Sequence, residues 1–231
     1  MYNELIWIFS ALVYFTLLTL IYRIFGRSGL FVWIGMSTVV ANIQVLKMVE
    51  LFGITATLGN ILYGTIFLAT DIINEQHGKK EARKAVWLGF FTLLSMTLIM
   101  QIALLYTPAD SDVAHDSLKT IFDLVPQVAI GSLLAYIVSQ SLSVHIFHWF
   151  KVKTAGRFLW LRNTLSTMIS QLIDSTIFCV IAFWGVLTTD LEVWIQIYLS
   201  TYFIKFIVAA LDTPFIYLAR SIGRKEKFFM K

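Results

Sequence analysis

Apolar stretches long enough to cross a bilayer follow one another along the chain, separated by short polar breaks. A transmembrane helix needs about 20 predominantly apolar residues. Seven stretches approach or meet that length, at about residues 5–24, 30–48, 54–73, 85–106, 127–150, 163–184 and 193–218. The pattern predicts an all-α, polytopic transmembrane helix bundle of seven spans. The connection at 107–126 is acidic and longer than the rest, and its second half, SLKTIFDLV, suits a short helix lying in the membrane interface.

The sixth stretch departs most from a plain lipid-facing helix. Asn163, Ser166, Thr167, Ser170, Gln171, Asp174 and Ser175 recur at i, i+3, i+4, i+7, i+8, i+11 and i+12, which is one helical face. Leu165, Met168, Ile169, Leu172, Ile173 and Ile177 make the other. Asp174 falls near mid-membrane, where a carboxylate costs roughly 2.5–3.5 kcal/mol on insertion scales. Lipid returns nothing for that cost, so the stripe must face protein or a water-filled cavity. Lys205, near the middle of the seventh span, is the matching charge, and Tyr198, Thr201, Tyr202 and Asp212 share its face. The bland reading is a structural ion pair that fixes helix register. The functional reading is a gated pair that opens when a substrate or a proton takes one partner. The second is favoured, because ionisable residues inside a membrane are functional-site candidates by default.

Other spans add to this polar interior. In the third, Asn60, Gly64, Phe67, Asp71 and Asn74 share a face, and Asp71 and Glu75 stand four apart at its end. Glu75 suits a solvated helix end paired with Lys79. Asp71, preceded directly by FLAT, should be buried by about a turn and is a coupling candidate. Ser132, Tyr136, Ser139, Gln140 and Ser143 line one side of the fifth span, and Thr38 and Asn42 lie one turn apart in the second. One membrane amide by itself reads as inter-helix glue. Asn42, Gln140 and Gln171 together with two central charges fit a polar ligand pocket better.

Charge settles the expected orientation. Arg23 and Arg27, then Lys79, Lys80, Arg83 and Lys84, then Lys151, Lys153, Arg157 and Arg162, and finally the tail from Arg220 to Lys231 occupy alternate connections. The others carry Glu50, then Asp110, Asp112, Asp116 and Asp123, then Asp190 and Glu192. The positive-inside rule places the N-terminus out and the C-terminus in. With 58% hydrophobic and 14% charged residues, the chain is far from soluble composition, and its +4 charge lies in short loops, so no nucleic-acid partner is expected. Its single cysteine, Cys179, sits inside a span and leaves the redox compartment open. The start, MYNELIW, lacks a basic region before its apolar run and reads as a retained span. His145 and His148 lack companion ligands, so no metal and no cofactor are expected. No Walker-type, GxSxG or HExxH motif occurs, which argues against an ATPase or a hydrolase in this chain.

Four segments carry a family resemblance: ATDIINEQHGKKEARKAVWLGF, SLLAYIVSQSLSVHIF, LWLRNTLSTMISQLIDSTIFCVIAFWG and YFIKFIVAALDTPFIYLAR. Together they resemble the bacterial queuosine precursor transporter family, also grouped with vitamin uptake transporters. The resemblance runs from about the second span to the tail and includes the buried charges. It implies a multi-pass protein of a prokaryotic cytoplasmic membrane that imports 7-deazaguanine bases, such as the cyano or aminomethyl forms. It also implies a single transporter domain over 1–231: a six-helix transport core at 29–220, an extra N-terminal span at 1–28 and a basic cytoplasmic tail at 221–231. Ser143 stands where the fifth-span motif often carries an acid.

A deazaguanine offers an N–H edge to a carboxylate, a carbonyl to an amide or lysine, and a flat face to aromatics. Asp174 or Asp71 are therefore assigned to the N–H edge. Gln171, Gln140, Asn42 or Lys205 are assigned to the carbonyl or cyano group, and Tyr136, Phe178 or Tyr202 to stacking. Asp174, Lys205, Asp71 and Glu75 are the coupling or gating candidates. The first reading is a secondary importer, proton-coupled through one of these groups. The alternative is a substrate-binding subunit of an ATP-driven vitamin or nucleobase importer, with the ATPase on partner chains. Assembly into a homo-oligomer is left open. An intramembrane enzyme lacks its catalytic set, and a scaffold has no need of a costly central Asp and Lys.

Overall fold

The computed structural model of the chain describes residues 2–123, 125–155, 157–211, 214–215 and 217–219. In chain order these form α1 (Tyr2–Gln44), β1 (Met48–Leu51), β2 (Ile54–Thr57), α2 (Gly59–His77), α3 (Lys79–Leu104), α4 (His115–Asp123), α5 (Val125–Lys153), α6 (Leu159–Ala182), α7 (Trp184–Thr189) and α8 (Leu191–Leu211).

The first two expected spans are the halves of α1. Gly26, at φ 55° and ψ −140°, breaks the helix in a conformation that a side chain would oppose. Asn3 Nδ2 donates to the Glu50 carbonyl (3.2 Å), and Phe52 N donates to the Glu4 carboxylate (3.2 Å). Trp7 meets Phe52 edge-on, and Gln44 Nε2 donates to Tyr14 Oη at 3.4 Å. The start of the first half thus lies beside the end of the second, and the halves run antiparallel.

The expected spans 30–48 and 54–73 need correction at their facing ends. Helix stops at Gln44 and resumes at Gly59, and a two-stranded antiparallel hairpin, Leu51 opposite Ile54, fills the gap. Phe52 and Gly53 both have positive φ (54° and 75°), the signature of a tight two-residue hairpin turn. The helix expected in the second half of the acidic connection is present as α4, and its Phe122 is buried against Leu46, Met96, Met100 and Leu104. The short α7 was not anticipated. Asp212 and the tail from Arg220 lie outside the described residues.

By length and composition, four helices qualify as membrane spans among the described residues: α1, α3, α5 and α6. Their outer faces carry exposed Phe9, Leu12, Phe91, Ile99, Leu134 and Leu172, a belt of apolar surface that water would not tolerate and lipid favours. Of the other long helices, α8 also exposes Leu199 and Phe203, and α2 is the inner one. α2 contacts α1, α3, α5 and α8, and from Gly59 to Asn74 nearly every residue is buried. A helix surrounded in this way is free to carry Asn60, Thr65, Thr70, Asp71 and Asn74, which explains its lower apolar content. Trp33 Nε1 donates to Thr65 Oγ1 at 2.9 Å and ties α1 to this central helix.

Candidate functional site

α6 is a polar-inside helix. Its stripe, from Asn163 to Ser175, is buried at every position, while Ile169 and Leu172 on the opposite face are exposed. The side chain that organises the stripe is Asp174, 2% exposed. Its Oδ2 accepts from Lys205 Nζ on α8 at 2.6 Å. Its Oδ1 accepts from Tyr63 Oη on α2 at 3.0 Å and from Ser139 Oγ on α5 at 2.9 Å. Lys205 Nζ also sits 5.2 Å from the centre of the Tyr63 ring, a cation–π contact. One carboxylate therefore joins four helices, and its burial is answered by a counter-charge and two hydroxyls.

This junction forms a wall of a narrow cleft between the helices that is open to the outside. The cleft is lined by Asn42 from α1, Asn60 and Tyr63 from α2, Ser132 and Ala135 from α5, Asp174 and Phe178 from α6, and Thr201 and Lys205 from α8. All but the last two lie toward the end of the bundle where α1 and α6 finish and α2 and α5 begin, beside the hairpin and the acidic connections. Trp194 Nε1 donates to the Cys179 carbonyl (2.9 Å), and Tyr198 Oη lies 3.1 Å from Thr176 Oγ1, fastening α8 to α6 above the cleft.

Of the residues singled out from the sequence, Asp174, Lys205, Asn42 and Phe178 line this cleft. Tyr136 is fully buried beside it, with its ring edge-on to Tyr63. Asp71, Gln140 and Gln171 belong to a second polar layer, nearer the basic connections. There Thr167 Oγ1 donates to Asp71 Oδ2 at 3.3 Å, and Asn74 Nδ2 donates to the Val144 carbonyl at 3.2 Å. Gln140 and Gln171 are buried, and neither end of either amide finds a hydrogen-bond partner among the described residues. Beyond this layer Lys151 Nζ pairs with Glu75 Oε2 (3.3 Å) and donates to the Glu75 carbonyl (2.9 Å), joining α5 to α2. Arg83 meets His145 at the same end.

Tyr63 was not anticipated as a site residue; Asn60 and Ser132 were placed on polar faces without being assigned to substrate. Tyr63 reads as an ordinary apolar aromatic in NILYGTIF, yet it follows Asn60 by three positions and precedes Phe67 and Asp71 by four and eight, beside the polar face of its helix. That spacing was the available signal.

The arrangement suits selective capture of a small, flat, polar solute, since a buried carboxylate, a lysine, amides and aromatic rings converge on one cleft. Comparison with known proteins places the chain in a family. Residues 57–219 match a family model described as "Putative vitamin uptake transporter". The chain is 52% identical over 223 residues to the "Probable queuosine precursor transporter" of Bacillus subtilis, covering 96% of each chain. It is 28% identical over 173 residues to the "Queuosine precursor transporter" of Escherichia coli, covering 73% of this chain and 74% of that one. A Haemophilus influenzae relative, also called "Probable queuosine precursor transporter", is 29% identical over 160 residues, or 68% and 65% of the two chains. No solved structure matches the chain. The extent of these matches, over a bundle whose polar residues turn inward on a cleft, shows that this is a transporter, not an enzyme, and that the chain belongs to the queuosine precursor transporter family.

Proposed function

We propose that this protein imports 7-deazaguanine precursors of queuosine across a prokaryotic cytoplasmic membrane as a secondary, proton-coupled transporter. The observation that carries the reading is a buried carboxylate, Asp174, held by Lys205 in the wall of a cleft lined by polar side chains from five helices. The names of the relatives supply the substrate class.

In this reading the seven helical segments are all spans, with the N-terminus out and the C-terminus in. Residues 1–28 are accessory and 29–220 form the transport core. The cleft then opens outward, beside the acidic connections. The base enters edge-first, and its N–H groups take the Asp174 carboxylate in place of Lys205. Lys205, released, meets the carbonyl or cyano group. Phe178 and Tyr63 cover the ring face. The exchange keeps both charges answered throughout, so neither is left bare in a low-dielectric interior. A proton that reaches Asp174 or Asp71 weakens the grip on the base and couples release to the gradient. Glu75, paired with Lys151, holds the inner end closed until then.

Purified protein in liposomes tests this. Uptake of a labelled deazaguanine without ATP, driven by an imposed pH gradient and lost in Asp174→Asn, is the expected result. Binding without uptake until an ATPase subunit is supplied would transfer the chain to the multi-subunit reading.

A further inference from the structure

The residues expected to contact substrate fall into two layers, and the second layer is no part of the cleft. Gln140 and Gln171 are 0% and 1% exposed, and all four of their amide heteroatoms lack partners among the described residues. The hydroxyls of Ser143 and Ser170 are buried in the same condition. Gln171 lies one turn from Thr167, which donates to Asp71, and Gln140 lies one turn from Val144, whose carbonyl accepts from Asn74. The packing of α2, α5 and α6 thus gathers these groups into one layer between the cleft and the Lys151–Glu75 pair.

Inter-helix glue does not account for them. A glue amide shows its partner in the resting structure, and these show none among the described residues. Most buried polar groups find a partner in protein or ordered water, so amides with no protein partner here are free to take one that arrives in another conformation. Their chemistry indicates the partner. A primary amide sets a carbonyl acceptor beside an N–H donor, which complements the adjacent N–H and C=O of a lactam edge or the edge of any similar base.

We propose that this layer is a second binding station for the base, shut in the present conformation, which receives the base from the cleft when α2 and α5 part at their inner ends. The proposal rests on the reading of a deazaguanine as the substrate. The contacts that must open are on the page: Lys151 with Glu75, and Asn74 with the Val144 carbonyl, each joining α2 to α5. The cleft and its Asp174 junction need not change for the inner ends to separate, so capture and onward passage use different residues.

The test compares Gln140→Leu/Gln171→Leu with Asp174→Asn. Removing orphaned amides in favour of apolar groups of similar volume should leave the ligand-free melting temperature at or above that of the wild type. Stabilisation by a free deazaguanine should persist in the double variant, while its uptake in liposomes falls at least tenfold. Asp174→Asn should lose both. Normal uptake by the double variant overturns the second station, and so does loss of the deazaguanine response, which would assign the amides to the cleft. If the double variant does not accumulate, Ser143→Cys in a Cys179→Ala background decides. Labelling by a thiol reagent applied from the basic-connection side should rise severalfold with deazaguanine, and also with Glu75→Gln; flat labelling in both cases overturns the proposal. A wild type that ignores every deazaguanine removes the base reading and this station together. That result is distinct from a responsive wild type whose double variant transports normally.

Discussion

Replacing Lys205 by methionine isolates the energetics of the central junction. The side chain keeps its length and apolar stem and loses its charge. Lys205 and Asp174 are 5% and 2% exposed, so the remaining carboxylate stays in the interior. Removing one partner of a buried ion pair costs about 3–5 kcal/mol. Here Tyr63 and Ser139 still donate to Asp174 Oδ1, which places the loss at the lower end, about 3 kcal/mol. For a chain of this size about 1 kcal/mol shifts the melting temperature by about 2–4 °C, so Lys205→Met should melt about 6–12 °C below the wild type in detergent. Adding Asp174→Asn removes the stranded charge and leaves an amide carbonyl for the same two hydroxyls. The double variant should regain most of the loss, to within about 1 kcal/mol. It should remain unable to take up substrate. A Lys205→Met protein that melts with the wild type would refute the reasoning, because it would mean that the carboxylate is already neutral or hydrated in the folded state.

Three further outcomes are expected. Tyr63→Phe keeps the ring and removes a hydrogen bond to a charged acceptor, so it should lower stability by about 1.5–3 kcal/mol and raise the KM for uptake; thermal denaturation and transport kinetics check both. Gly64→Ala places a methyl group against Val208 and should push α2 from α8, with a loss of about 1–3 kcal/mol visible as reduced yield and melting temperature. An alkaline phosphatase fused to the N-terminus should be active outside the cell, and the same enzyme at the C-terminus inactive, as the alternation of basic and acidic connections requires.

The candidate site was legible in the sequence wherever a polar residue had no business in lipid. The α6 stripe, Asp174, Lys205 and the fifth-span serines each violate apolar patterning, and the structure turns them inward, with Ser139 and Lys205 both on Asp174. Tyr63 was missed because tyrosine is ordinary in a span and its value lies in a single hydroxyl. The hairpin was missed because Met48–Leu51 and Ile54–Thr57 continue the apolar run on either side, and Phe52-Gly53 lacks the Asn-Gly or Asp-Gly pair that marks such turns most strongly. The reversal inside α1 was anticipated from Arg23 and Arg27, although only the backbone at Gly26 makes it a corner within one helix. The separation of Asp174 from Asp71, Gln140 and Gln171 into two layers was not legible. Helical periodicity places residues on a face but says little about their depth relative to residues on other helices.

The most direct measurement is the thermal shift of the purified protein with free cyano- and aminomethyl-deazaguanine, repeated with Asp174→Asn. A ligand at a hundredfold its dissociation constant stabilises by about 2.7 kcal/mol, which for this chain is about 5–11 °C. The account predicts such a shift with at least one deazaguanine, little with guanine, and none in Asp174→Asn. An equal shift in Asp174→Asn, or stabilisation by a vitamin and by no deazaguanine, would contradict it.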